Sequence, residues 1–205
     1  MATEMTKVYA RKKKYREFFN DSTCRFPVIP AVKNDEWLES AINTECEIVY
    51  VLYGNICTIP KLVKKLKDAG KMVIVHVDLI TGLASKDVCV DYIREFTEAD
   101  GIISTKAHMI KRGNEVGLFT IQRFFMIDQL TYDNVKKNVR DTDPDVVEIM
   151  PAGLEKMIRY ALDEVEGKPL VASGLVLDKT DVTKALGAGA IAVTTTNRTV
   201  WNPDF

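Results

Sequence analysis

Beyond residue 25 the chain alternates short β-branched apolar runs with segments whose apolar residues recur every three to four positions, which predicts parallel strands joined by crossover helices. Residues 26–32, 47–52, 71–78 and 100–105 read as the first four strands. The segments between them bring Trp37, Leu38, Ala41 and Ile42, then Leu62, Val63 and Leu66, then Val88, Tyr92, Ile93 and Phe96 onto single helical faces. Asn34, Thr58 followed by Pro60, and Ser85 supply helix starts, and Gly70 a stop. Strands five to eight are expected at 118–123, 144–150, 168–176 and 190–194. Their helices run over 106–114 with Gly117 after it, through Ile127, Leu130 and Val135, through Leu154, Met157, Ile158, Ala161 and Leu162, and over 181–186.

Eight strand–helix units of about twenty residues favour a TIM-like (β/α)8 barrel, because parallel sheets are covered on both faces and closure removes exposed edges. An open doubly wound sheet of the flavodoxin type is the alternative α/β arrangement. Residues 1–25 are polar and basic, with helical periodicity over 8–19, and are expected as a short N-terminal helical appendage to a barrel domain of residues 26–205.

Composition narrows the function. With 46% hydrophobic and 28% charged residues, a 205-residue chain fills one buried core rather than two large ones. It lacks a run of about eighteen apolar residues, and its first residues lack the apolar stretch of a secretory signal, so a cytoplasmic protein without a membrane partner is expected. Cys24, Cys46, Cys57 and Cys89 show no C-x-x-C spacing and His76 and His108 stand far apart, which predicts packed, reduced thiols, no metal site and no cofactor. A net charge of −1 excludes the broad basic surface of a general nucleic-acid binder, so any RNA contact must be local. The most basic stretch holds Arg11, Lys12, Lys13, Lys14 and Arg16, and a second holds Lys61, Lys64, Lys65 and Lys67; solvated surface is the default explanation for both.

In a barrel of parallel strands the chemistry gathers where strands hand over to helices. Two late segments, 170–175 and 190–196, run out into Ser173 and Gly174 and into Thr194, Thr195 and Thr196. Loops after the seventh and eighth strands of such barrels lend amides and hydroxyls to a phosphate, so these five residues form a candidate cradle; ordinary turn chemistry is the plainer explanation. Asp78, Lys106, Gln122, Arg123 and Glu148 stand near the ends of the intervening strands. A carboxylate set among Val146, Val147 and Ile149 needs a partner, which Lys106 or Arg123 could supply across the mouth, and the same cations would complement an anion in the cradle. His76, inside an apolar strand, reads as a hydrogen-bonded core histidine, and Trp37 and Trp201 as packing residues.

These residues also carry a resemblance. His76-Val77-Asp78-Leu79-Ile80 with Gly82-Leu83, Asp100-Gly101-Ile102-Ile103-Ser104-Thr105-Lys106, and Gly117-Leu118 with Thr120-Ile121-Gln122-Arg123 and Phe125 are similar to the glycerol uptake operon antiterminator regulatory proteins, the GlpP family. Pro144-Asp145, Glu148-Ile149, Pro151, Gly174-Leu175, Ala185-Leu186, Ala188-Gly189-Ala190, Ala192-Val193 and Trp201 continue it in the same order, so that it spans nearly all of residues 26–202. The resemblance implies a barrel that binds glycerol 3-phosphate and acts on the leader mRNA of glycerol-utilisation genes to prevent premature termination, without catalysis and with a homodimer left open. Glycerol hydroxyls would go to groups such as Glu148 and Gln122, the phosphate to the two terminal loops, and RNA to Arg11–Arg16 or Lys61–Lys67. Ser173 and the threonines depart from the family's pattern but keep small size and hydroxyls, whereas Ala152 replaces a glycine and would strain a left-handed backbone.

The competing function is a phosphate-binding barrel enzyme of aldolase or isomerase type, with Lys106 as its Schiff-base amine. A lysine in a solvent-facing turn lacks the burial or cationic neighbour that such chemistry requires.

Overall fold

The computed structural model describes residues 2–202; Met1 and residues 203–205, which the two expected segments include, lie outside the described residues. Eight parallel strands, β1 (Val28–Val32), β2 (Ile48–Val51), β3 (Met72–His76), β4 (Gly101–Ser104), β5 (Phe119–Phe125), β6 (Val146–Met150), β7 (Leu170–Ser173) and β8 (Ala192–Thr195), pair in sequence order. Pairing of β1 with β8, Ile29 opposite Thr194, closes the barrel. The crossovers are α2 (Asp35–Ile42), α3 (Ile59–Asp68), α4 (Asp87–Phe96), α5 (Ala107–Glu115), α6 (Gln129–Thr142), α7 (Glu155–Glu164) and α8 (Lys179–Gly187), preceded by α1 (Ala2–Arg25). The expected closed barrel is therefore the observed one.

Each strand is buried on both faces, which is why its sequence reads as a continuous apolar run. Outward side chains such as Val49, Val51, Val73 and Val75 pack against Leu38, Val63 and Ile93 of the helices. Inward ones, including Ile48, Met72, Ile74, Ile121, Val146 and Val171, form a second core.

That inner core is stoppered from below by α1. Phe19 is fully buried and stacks on Phe119, at the start of β5, with ring centroids 5.0 Å apart. The helix is twice as long as its periodicity predicts, because part of its basic stretch is engaged with the barrel. Lys12, only 6% exposed, sits 2.9 Å from Asp145 and also bonds Asn114, while Arg16 donates to Asp145 at 2.5 Å. Asp145 in turn accepts the backbone N–H of Thr120 at 2.8 Å.

Several boundaries shift for local reasons. β3 stops at His76, and Val77–Leu79 makes a 3-10 turn that takes Asp78 off the pleat. The Thr58 hydroxyl accepts from the Asn55 N–H at 2.9 Å instead of capping α3, and α4 opens at Asp87 rather than at Ser85. Cys46 and Cys89 are packed as expected, whereas Cys24 and Cys57 are exposed.

Truncating the stopper tests the role of α1. Phe19→Ala should cost about 3–5 kcal/mol in urea unfolding, the range for a buried aromatic, while Lys13→Ala on the exposed face should stay within about 0.5 kcal/mol.

Candidate ligand-binding site

Strand pleating carries the inner core upward into a polar layer. Two residues beyond Ile74, Ile121, Val146, Val171 and Ala192 come His76, Arg123, Glu148, Ser173 and Thr194, on the same inward side of their strands, and Tyr50 joins them from β2. Register places Arg123 beside Glu148 and Ser173 beside Thr194. Every buried side-chain nitrogen or oxygen that lacks a hydrogen-bond partner among the described residues belongs to this layer: Tyr50 Oη, His76 Nδ1, Glu148 Oε1, Ser173 Oγ and Thr194 Oγ1. Buried polar atoms are normally paired, which makes this layer the candidate site.

A cavity of about 370 Å³ opens above the layer at the C-terminal ends of the strands. Arg123, Ser173, Gly174, Thr194, Thr195 and Thr196 line it, with Ala31 and Met150 among its apolar walls. Gly174 turns the chain out of β7 at φ +76, a backbone conformation that favours glycine, and a Cβ there would push aside the terminal methyl of Met150, 2.6 Å away. The amides of Gly174, Leu175 and Thr196 have no partner among the described residues. The loop after β8 is pinned by the Asn197 N–H donating to Thr195 Oγ1 at 2.9 Å and by the Trp201 indole donating to the Thr195 carbonyl at 3.0 Å. The Asn197 side chain also donates to the Leu177 carbonyl at 2.6 Å, tying the two loops together. Ala152, expected to strain its loop, is not among the described residues with a positive φ; its N–H donates to the carbonyl of Ser173 at 2.7 Å and fastens the end of β6 to β7.

The other sequence candidates separate into three groups. Arg123 donates to Glu148 at 2.5 Å inside the barrel, so it, and not Lys106, is the partner that the carboxylate needed. Gln122 lies one residue off the inward parity and faces α6, where Thr142 donates to its side-chain oxygen at 2.5 Å; it is not a cavity group. Asp78 accepts from the Ser104 hydroxyl at 2.8 Å and the Thr105 N–H at 2.8 Å, with Lys106 3.6 Å away and bonded to Ser85. These two residues join the loops after β3 and β4 and do not line the cavity. Burial alone would raise the Asp78 pKa, but the donors from Thr105 and Ser104 hold it below its ordinary value. Lys12 and Arg16 lie at the opposite end of the barrel, in the ion pairs with Asp145.

His76 is buried, as a core histidine was expected to be, and its position two residues after Ile74 puts it on the inward side of β3; Tyr50, on the inward side of β2, was not singled out from the sequence. Burial, and then the charge of Arg123, push the His76 imidazole down to about 4, so it is neutral at physiological pH. Burial and the nearby Glu148 carboxylate raise the Tyr50 phenol well above its ordinary value.

Comparison with known proteins follows this geometry. Residues 28–201, nearly the whole barrel, match the family of glycerol-3-phosphate responsive antiterminators. The chain belongs to that family. It is 45% identical over 175 residues to the uncharacterized protein YgcP of Escherichia coli strain K12, covering 85% of this chain and 91% of that one. The structure of the glycerol uptake operon antiterminator regulatory protein of Listeria monocytogenes str. 4b F2365 superposes with a TM-score of 0.82 at 30% identity, over 86% of this chain and 95% of that one. A glycerol uptake operon antiterminator-related protein of Thermotoga maritima MSB8 gives 0.76 at 25% identity, over 85% and 96% of the two chains. Aldolases at 13% identity share the fold alone. No helix among the described residues is long and apolar enough to cross a membrane.

Because the folded protein holds His76 at about 4 against 6.5 when exposed, the unfolded chain binds more protons between those values, and stability falls as pH falls through that window. Comparing urea unfolding at pH 7 and pH 4, the protein should lose about 3 kcal/mol more than its His76→Gln variant does.

Proposed function

We propose that the mouth of the barrel takes glycerol 3-phosphate and that its occupancy governs binding to the leader mRNA of glycerol-utilisation genes. The convergence of five unpaired buried polar atoms beneath a cavity whose rim offers free amides carries this reading. The phosphate is assigned to Ser173, Gly174, Thr194, Thr195 and Thr196, with Arg123 supplying the opposing charge and Glu148 accepting from a glycerol hydroxyl. Asp78 and Lys106 act at one remove, by fixing the neighbouring loops.

A binding role is favoured over an aldolase because Lys106, the amine that chemistry would use, is partly exposed, ion-paired with Asp78 and outside the cavity. Borohydride treatment with dihydroxyacetone phosphate should leave Lys106 unmodified; an adduct there would establish the enzyme instead.

For RNA, the exposed cations of α1 are the better candidates. Lys12 and Arg16 are committed to Asp145, and Lys64, Lys65 and Lys67 are paired with Asp68, Glu39 and Asp100. Lys13 and Lys14 are exposed and Arg11 half-exposed, with Lys13 only loosely paired to Glu17 at 3.8 Å. β5 offers a mechanical link, since Phe119 at its base touches α1 and Arg123 near its top lines the cavity.

Calorimetry should show that Thr195→Asp abolishes glycerol 3-phosphate binding by placing a second anion in the cradle. In a gel-shift assay the Lys13→Glu/Lys14→Glu variant should weaken leader RNA binding at unchanged ligand affinity, and the ligand should strengthen RNA binding to the parent protein. Retained affinity in Thr195→Asp would refute the assigned cradle.

A further inference from the structure

Three consecutive loops beside the mouth of the barrel carry large apolar side chains into solvent. Phe125, Ile127 and Leu130 lie at the end of β5 and beyond it, Leu154 follows β6, and Leu175 and Leu177 follow β7, each between 46% and 80% exposed. We infer that through this face two copies of the chain pair as a homodimer.

The loops are fastened into one surface. The Met126 N–H donates to the Met150 carbonyl at 2.8 Å and the Ala152 N–H to the Gly174 carbonyl at 3.1 Å, so the six side chains stand on neighbouring, hydrogen-bonded segments. An exposed leucine by itself needs no explanation, but a contiguous group does. Their exposed surface comes to roughly 700 Å², above the about 300–600 Å² of the largest apolar patch on a typical monomer and close to the about 800 Å² that each partner brings to a standard stable interface. Leu175 adds an independent sign. It is 72% exposed with its backbone at φ +56, in the left-handed region that favours glycine. A long apolar side chain held in solvent at a strained position gains nothing within a lone molecule, and contact with a partner supplies what it lacks.

Shape and charge select a second copy as the occupant. Beside the exposed ridge, between α6 and α7, lies a groove of about 410 Å³ walled by Met126, Tyr132, Met157 and Tyr160, with Ile127 at its edge. A surface that carries an apolar ridge and an apolar groove side by side is self-complementary about a two-fold axis, each ridge entering the other copy's groove. The charges that flank the groove are of opposite sign. Asp128 lines it and caps α6, accepting the Thr131 N–H at 2.7 Å, while the Lys156 ammonium stands 5.1 Å from the centre of the Tyr160 ring. No ion pair joins either of them to another described residue, and the same two-fold lets Asp128 of one copy meet Lys156 of the partner subunit. RNA suits this face poorly, because Asp128, Asp133 and Asp178 interleave with Lys156, Arg159 and Lys179 and leave no basic surplus for phosphates.

Sedimentation equilibrium of the whole protein should show a dimer at micromolar concentration. Ile127→Asp and Leu177→Asp, both at exposed positions, should each raise the dissociation constant about thirtyfold or more at an unchanged circular dichroism spectrum. Phe96→Asp, equally exposed but on α4, should leave pairing as it is. Lys156→Glu should weaken pairing about fivefold, and adding Asp128→Asn, which keeps a capping side chain on α6, should recover part of that loss. A parent protein that stays monomeric overturns the inference, and loss of leader RNA or of lipid vesicles from Ile127→Asp would then assign the face to that occupant. A dimer that survives both Ile127→Asp and Leu177→Asp, or that Phe96→Asp also breaks, overturns it equally, and an indifferent Lys156→Glu overturns the two-fold arrangement.

Discussion

A guanidinium and a carboxylate sealed side by side within a barrel of apolar strands set the terms for everything above them. Removing two charges from water costs several kcal/mol each, and hydrophobic residues of similar volume usually serve stability as well or better. The Arg123–Glu148 pair is therefore poor material for a core. Its geometry is tight on one side only, since Oε2 accepts from Arg123 at 2.5 Å while Oε1 has no partner among the described residues. Each such orphan costs about 1–3 kcal/mol when buried.

The opposite end of the barrel solves the reverse problem. Asp145 is another buried carboxylate, but here Lys12, Arg16 and the Thr120 amide satisfy it completely from within the chain. Beside it Phe19 completes the apolar filling under Phe119. One end is closed by its own side chains, and at the other the strands lead into the cavity. The polarity of the strands ensures that the open end is the one where loop amides converge.

How far the sequence discloses this depends on which physical signal each feature leaves. Doubly buried strands and amphipathic crossovers leave strong periodic signals, and the eight-unit barrel follows from them. The Ser173-Gly174 and Thr194 to Thr196 endings are legible as strand ends, and the structure places all five along the cavity at the barrel mouth. What a doubly buried strand cannot show is which of its two faces looks inward, since both are apolar. Gln122 and Arg123 are adjacent and equally polar, yet one bonds α6 and the other enters the cavity. The same ambiguity hid His76, whose inward parity becomes clear only once Ile74 is known to belong to the inner core. Asp78 misled for a different reason, a 3-10 turn that breaks the strand period just before it. Lys12 and Arg16 looked like free surface because their partner, Asp145, is more than a hundred residues away in the chain.

That separation has a consequence for how the polypeptide comes together during synthesis. α1 leaves the ribosome well before the residues that it plugs against, Phe119 and Asp145, the latter 129 residues after Arg16. Until then a long helix bearing Tyr15, Phe18 and Phe19 must wait with its sticky side uncovered, and assembly is governed by contacts distant in sequence, which are slow to form. A nascent chain stalled before β6 would thus expose both the helix and the unfinished sheet edge, the state most in need of a chaperone.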